Sequence, residues 1–145
     1  MINKDEIKKI VETYGNPVYV FEEEKFLQNY DNLQSAFKNI YPNYGIGYSY
    51  KTNYTPYICK IVKELGGFAE IVSDMEYHLA KQLGYENSQI IYNGPWKGEK
   101  LEDHILANGM VNIDGIDEAQ RIVLLAKQNP ERLISIGLRI NTDIG

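Results

Sequence analysis

One cysteine, Cys59, in a chain of 145 residues excludes an internal disulfide framework and makes a reducing compartment the natural setting. Histidine is nearly as scarce. His78 and His104 are the only two, and neither has a second histidine or cysteine at metal-ligand spacing. Basic residues do not dominate: 15 lysines and arginines against 20 aspartates and glutamates leave a net charge of −5, which gives no electrostatic footprint for nucleic acid. No apolar run approaches bilayer length, and the opening MINKDEIKKIVETYG mixes both charge signs without the apolar centre of a secretion signal. These absences lead to the expectation of a weakly acidic cytoplasmic protein with no metal, nucleic-acid or membrane partner.

What is present is a globular composition, 43% hydrophobic and 24% charged, in a chain long enough for one ordinary core. Residues 1–41 are expected to form an N-terminal piece. In it, Asn16-Pro17 turns into a short strand over 18–21, and Phe26, Tyr30, Leu33, Phe37 and Ile40 line one stripe of an amphipathic helix over 22–40. From 42 onward, strand-like runs alternate with helical ones. The strands read at 46–50, 68–72, 90–93, 110–114 and 134–141.

The helices between them carry start and stop signals. Thr55-Pro56 opens one whose buried face is Ile58, Ile61, Val62 and Leu65, and Gly66-Gly67 closes it. Ser73-Asp74-Met75-Glu76 reads as a capping box, in which serine and glutamate each satisfy a backbone N–H of the other. Later helices run over 98–107, stopped by Asn108-Gly109, and over 117–128, stopped before Pro130. Strand ends that recur about every twenty to twenty-seven residues are what repeated strand-helix units produce. Both an open doubly wound sheet and a (β/α)₈ barrel fit that rhythm.

Polar placement favours the barrel. In SIGLRIN, 135–141, one parity is aliphatic and the other is Ser135, Gly137, Arg139 and Asn141. The first strand repeats this, with Ile46, Tyr48 and Tyr50 against Gly47, Ser49 and Lys51. Small residues on one face leading to a charged residue at the carboxyl end suit a barrel lumen with a ligand at its mouth. A closed barrel takes about 250 residues and eight strands. The expectation is therefore an α/β chain carrying about five βα units of a TIM-type (β/α)₈ barrel over 42–145, with no second, β domain.

Lys51 is the first candidate for chemistry. YGIGYSYKTN, 44–53, has a lysine and threonine after two glycines, but Tyr50 stands where a phosphate-cradling loop needs glycine. Two readings stay open on the residues alone. Lys51 reaches solvent from a strand end, or it sits in a shielded mouth where desolvation favours the neutral amine that attacks a carbonyl carbon.

YSYKTN resembles the lysine strand of the pyridoxal-phosphate (PLP) decarboxylases with an alanine-racemase-like barrel, and among them diaminopimelate decarboxylase. GNPVYVFE, GGFAEIVSDMEYHLA, IIYNGPWK, VNIDGIDEAQRI and GLRINTDIG continue the resemblance in family order. It covers nearly all of this chain but only the amino-terminal part of such an enzyme.

The resemblance implies that Lys51 forms the internal aldimine with PLP and that Arg139 lies beside the cofactor's phenolic oxygen. It places Glu70 as an acid near the lysine, able to hold or relay its proton. Ser73 falls in a cofactor-binding motif, although its capping role accounts for it equally. Asn93 and Lys97 fall on a loop at the substrate side, where a plain turn is the competing reading. Asn112 and Asp114 are expected to make structural hydrogen bonds.

The implied activity is amino-acid decarboxylation by a dimeric full-length enzyme. An amino-acid racemase and a non-catalytic PLP-binding barrel are the alternatives. The histidine that stacks on the cofactor, the glycine-rich phosphate loop and the β domain of such enzymes have no counterpart here. The short chain is accordingly expected to be inactive and to dimerise, aggregate or refold its ends so as to hide its strand edges.

Overall fold

The structure is a computed structural model that describes residues 2–140 and 142. It divides into two compact units, Met1–Tyr44 and Gly45–Gly145. No helix among the described residues is long and apolar enough to cross a membrane.

The first unit is helical. α1 spans Lys4–Tyr14 and α2 spans Glu23–Lys38. α2 follows the expected stripe: Phe26 meets Tyr30 at 6.4 Å between ring centroids, and Phe37 stacks on Tyr44 at 5.6 Å. α1 was signalled by an Asn3-x-x-Glu6 pattern that charge mixing hides. The Asn3 Oδ1 accepts from the Asp5 and Glu6 backbone N–H groups, and Glu6 Oε2 accepts from Asn3 N at 2.8 Å.

The strand expected over 18–21 does not form. Val18, Tyr19, Val20 and Phe21 are exposed, and their backbone joins no sheet among the described residues. β-branched and aromatic side chains favour extended backbone, but a strand exists only where a neighbour satisfies its N–H and C=O groups.

The second unit alternates strand and helix. Its elements are β1 (Gly47–Ser49), α3 (Pro56–Glu64), β2 (Phe68–Ile71), α4 (Asp74–Gln82), β3 (Ile90–Tyr92), α5 (Lys100–Leu106), β4 (Met110–Ile113), α6 (Ile116–Gln128) and β5 (Ile136–Leu138). The pairings are parallel and the sheet order is β1-β2-β3-β4-β5. That order separates the two architectures the rhythm left open. A doubly wound sheet reverses direction at a switch point, whereas a barrel adds each strand beside the last. The sheet winds one way, as the amino-terminal five strands of a barrel do.

Register fixes two dissimilar faces. Tyr50, Ala69, Ile71, Ile90, Tyr92, Val111 and Ile113 point to the helical layer and are buried. Full burial of a side chain such as Ile71 or Ile90 is worth about 1.5–3 kcal/mol each, so this face holds the unit together. The other face carries Gly47, Ser49, Phe68, Glu70, Ile91, Met110, Asn112 and Gly137, all incompletely buried. On β5 the aliphatic parity is uncovered, with Ile136 51% and Leu138 69% exposed. Asn141, expected to end this strand, lies outside the described residues.

Two local expectations are corrected. Thr55 stands at the N-cap of α3 but makes no side-chain cap; its own backbone N–H is held by Asn53 Oδ1 at 3.0 Å in a local turn. At α4, Ser73 Oγ accepts from Glu76 N at 3.3 Å, but the Glu76 carboxylate bonds Val72 N at 2.6 Å rather than Ser73 N. His104 lies on α5, in the helical layer, and is fully buried where that helix meets the sheet. Its Nε2 donates to Met110 O at 3.0 Å and its Nδ1 accepts from Asn87 Nδ2 at 3.3 Å. A carbonyl can only accept, which fixes the tautomer. Burial lowers the His104 pKa below its ordinary value.

Candidate functional site

Parallel strands bring all their carboxyl ends to one edge, and the residues just beyond those ends are the chemistry-bearing ones. Lys51 follows β1, Ser73 follows β2, Asn93 follows β3, Asp114 follows β4 and Arg139 follows β5. A parallel sheet of this winding therefore explains why the sequence spaces its polar residues as it does.

At the end of β1 the chain turns sharply. Ser49 O accepts from Thr52 N at 3.2 Å, from Asn53 N at 3.4 Å and from Thr52 Oγ1 at 2.8 Å. Lys51 sits on this turn, exposed, and its ammonium makes no hydrogen bond or ion pair with any described residue. Behind it, Tyr50 and Cys59 are fully buried, and burial raises the pKa of both, so the wall under the turn stays neutral.

Three expected residues come together on the inner face. Asn112 Nδ2 donates to Asn93 Oδ1 at 2.6 Å, and Asn93 Nδ2 donates to Glu70 Oε1 at 2.7 Å. A continuous polar chain thus runs from β4 across β3 to β2. Glu70 pairs in register with Ser49, two residues before Lys51. Beside Asn112 the inner face has a hollow of about 300 Å³, lined by Ile91, Met110, Ser135 and Gly137 among others.

Arg139 is placed on β5's inward parity and contacts Asp114, with Nε 3.6 Å from Oδ1; its side chain is 62% exposed. β1 and β5 are the two edges of the sheet, so Lys51 and Arg139 are not neighbours along it. Strands one and five of an eight-stranded barrel face each other across the lumen.

Lys97, expected on the substrate side, has a different place. Its side chain is 1% exposed, and its Nζ lies 2.6 Å from Glu118 Oε1 while donating to Gly94 O at 2.8 Å. An ammonium so enclosed ties the β3 loop to the first turn of α6 and is not open to a ligand. Ser73 Oγ is likewise engaged as the α4 cap.

Sequence reading gave Glu76 the wrong backbone partner, Ser73, and gave Glu118 no role, whereas both glutamates build these corners. Glu76 Oε2 accepts from Val72 N, and Glu118 Oε2 accepts from Asp114 N at 2.9 Å. In both, a glutamate in a helix's first turn clips the backbone four residues upstream, just past a strand. Asp74 accepts from Tyr92 Oη at 2.8 Å and from Glu99 N at 2.9 Å, supplying the cap that α5 lacks. A Cβ on Gly98 would overlap the Asp74 carboxylate and displace it from these bonds. The available signal was a Glu four residues past each strand end.

The residues on this edge suit an aldehyde-bearing, acidic cofactor: an accessible amine without a partner among the described residues, a carboxylate held two residues away in register, and a guanidinium at the far edge of the sheet. Comparison with known proteins agrees. Residues 27–145 match the family model described as pyridoxal-dependent decarboxylase, pyridoxal binding domain. Diaminopimelate decarboxylase of Aquifex aeolicus is 29% identical over 143 residues, covering 95% of this chain and 32% of that protein. The Methanocaldococcus jannaschii enzyme is 30% identical over 145 residues, covering 94% and 32%. Its crystal structure in co-complex with L-lysine superposes with a TM-score of 0.81 at 30% identity, covering 94% of this chain and 33% of that one. The chain thus spans about a third of the length of the relatives it matches. On the extent of the family match and the order of its strands, the chain belongs to the pyridoxal-dependent decarboxylase family, in its pyridoxal-binding domain.

Proposed function

We propose that this chain supplies the lysine-bearing part of a PLP-dependent amino-acid decarboxylase of the diaminopimelate type. The observation that carries the reading is the exposed Lys51 amine, without a partner among the described residues, at the carboxyl edge of a one-way parallel sheet. Bound PLP supplies an electron sink for the carbon that loses carbon dioxide.

The chain's own residues have separate tasks. Lys51 Nζ would be the amine that holds the cofactor through its aldehyde group, and it would be freed when a substrate amine takes its place. Glu70 accepts or returns a proton at Lys51 Nζ, its Oε1 meanwhile held by Asn93. Arg139, steadied by Asp114, stabilises negative charge on the cofactor's phenolic oxygen. Asn93 faces Glu70 rather than substrate, and Ser73 acts through the α4 cap.

The names of the relatives support diaminopimelate as substrate. A homodimer in the cytoplasm completes the reading; one unpaired cysteine and an acidic balance support the compartment.

The test is to titrate PLP into the purified chain and follow the absorbance band that a protein amine gives at the edge of the visible range. The band is expected in the parent chain and absent in Lys51→Ala. A band that survives Lys51→Ala removes Lys51 from the site, and no band in the parent overturns the assignment of the cofactor site to this chain.

A further inference from the structure

The polar chain on the inner face has a direction that one charge imposes. An ionised Glu70 can only accept, so Asn93 must turn its Nδ2 toward it. Asn93 Oδ1 then faces β4 and needs a donor, which Asn112 Nδ2 provides at 2.6 Å. Asn112 Oδ1 is thereby pointed at β5, where its register partner is Gly137. A Cβ on Gly137 would overlap that oxygen. Four residues from four successive strands thus form one polarised line, and each orientation follows from the one before.

We propose that Asn112 is a positioning residue for Glu70, acting through Asn93, and that position 137 is glycine to leave Asn112 its room. With Oε1 pinned from the β3 side, Glu70 keeps Oε2 without a partner among the described residues, free for a proton. Without Asn112, the Asn93 Oδ1 loses its donor, and the Asn93 amide is held from the Glu70 side alone. The functional part of this inference rests on the proposed role of Glu70 at Lys51; the orientation itself does not.

The experiment is NMR on the isotopically labelled 145-residue chain without cofactor, with each asparagine amide assigned. In the parent chain, the Asn93 Nδ2 protons give cross-peaks to the Glu70 side chain, and the Asn112 Nδ2 protons give them to Asn93. Asn112→Asp keeps shape but sets a carboxylate oxygen against Asn93 Oδ1, so the Asn93 amide is driven out of the line, by turning over or withdrawing, and its Glu70 cross-peaks are lost. Gly137→Ala loses the same cross-peaks with both amides intact.

Glu70→Gln added to Asn112→Asp restores a continuous line of reversed polarity, because a glutamine amide in place of the carboxylate can donate to the turned Asn93; the double variant's melting midpoint rises above that of Asn112→Asp alone. A residue that merely filled space would show none of this reversal. Asn93 protons directed at Asn112 in the parent chain overturn the proposal, and that measurement needs no variant to fold. So do Glu70 cross-peaks that persist in Asn112→Asp, or a double variant no more stable than the single one. A chain that shows the orientation but no absorbance band with PLP refutes the cofactor reading and leaves this one standing.

Discussion

Two loops at the same edge of the sheet each carry a lysine, and the fold treats them oppositely. After β1, Lys51 stands exposed on a tight turn with no described partner. After β3, Lys97 is sealed from solvent between Gly94 O and Glu118. Both follow a strand and both are flanked by aromatic or small residues, so residue type does not separate them. Engagement does. A lysine whose charge is already matched inside the protein holds structure together, while one left without a partner is available for chemistry.

The sharpest way to test that contrast is stability. Lys97→Ala leaves Glu118 in place without its cation, and is expected to cost about 3–5 kcal/mol by chemical denaturation. Removal of the Ser73 hydroxyl, which caps the adjoining helix, should cost about 1 kcal/mol. Lys51→Ala should fall within about 0.5 kcal/mol of the parent while abolishing the PLP band. Equal destabilisation by the two lysine variants would erase the distinction.

Acid offers a further probe from a buried group that is neutral rather than charged. The His104 pKa is lowered in the folded state, so near and below its ordinary value of 6.5 the unfolded chain binds more protons. Stability is then full above pH 6.5 and declines as pH falls from there toward the lowered folded value. His104→Gln should flatten that part of the profile, measured as melting midpoint against pH. Protonation would set an Nδ1–H against the Asn87 Nδ2 donor, with the Lys81 ammonium, which donates to Asn87 Oδ1 at 2.8 Å, on the far side of the same amide.

Much of the second unit was legible because its signals are local. Gly66-Gly67, Ser73-x-x-Glu76 and Asn108-Gly109 mark helix ends through backbone conformation and capping, which depend on near neighbours. The parity of SIGLRIN was enough to favour the barrel, and the sheet order agrees. What escaped depends on partners distant in sequence. Lys97 is buried because α6 places Glu118 over it, and Asn112 matters because register sets it beside Asn93 and Gly137. Residues 18–21 misled for the same reason: propensity is local, but a strand's partner is not.

The paired glutamate clips at Val72–Glu76 and Asp114–Glu118 bear on how this scaffold can vary. Each welds a strand's exit to the following helix over four residues, so an insertion inside either corner would pull carboxylate from amide and loosen both elements. Length variation among related sequences should therefore be excluded from these two corners and tolerated where the chain leaves the sheet without such a clip.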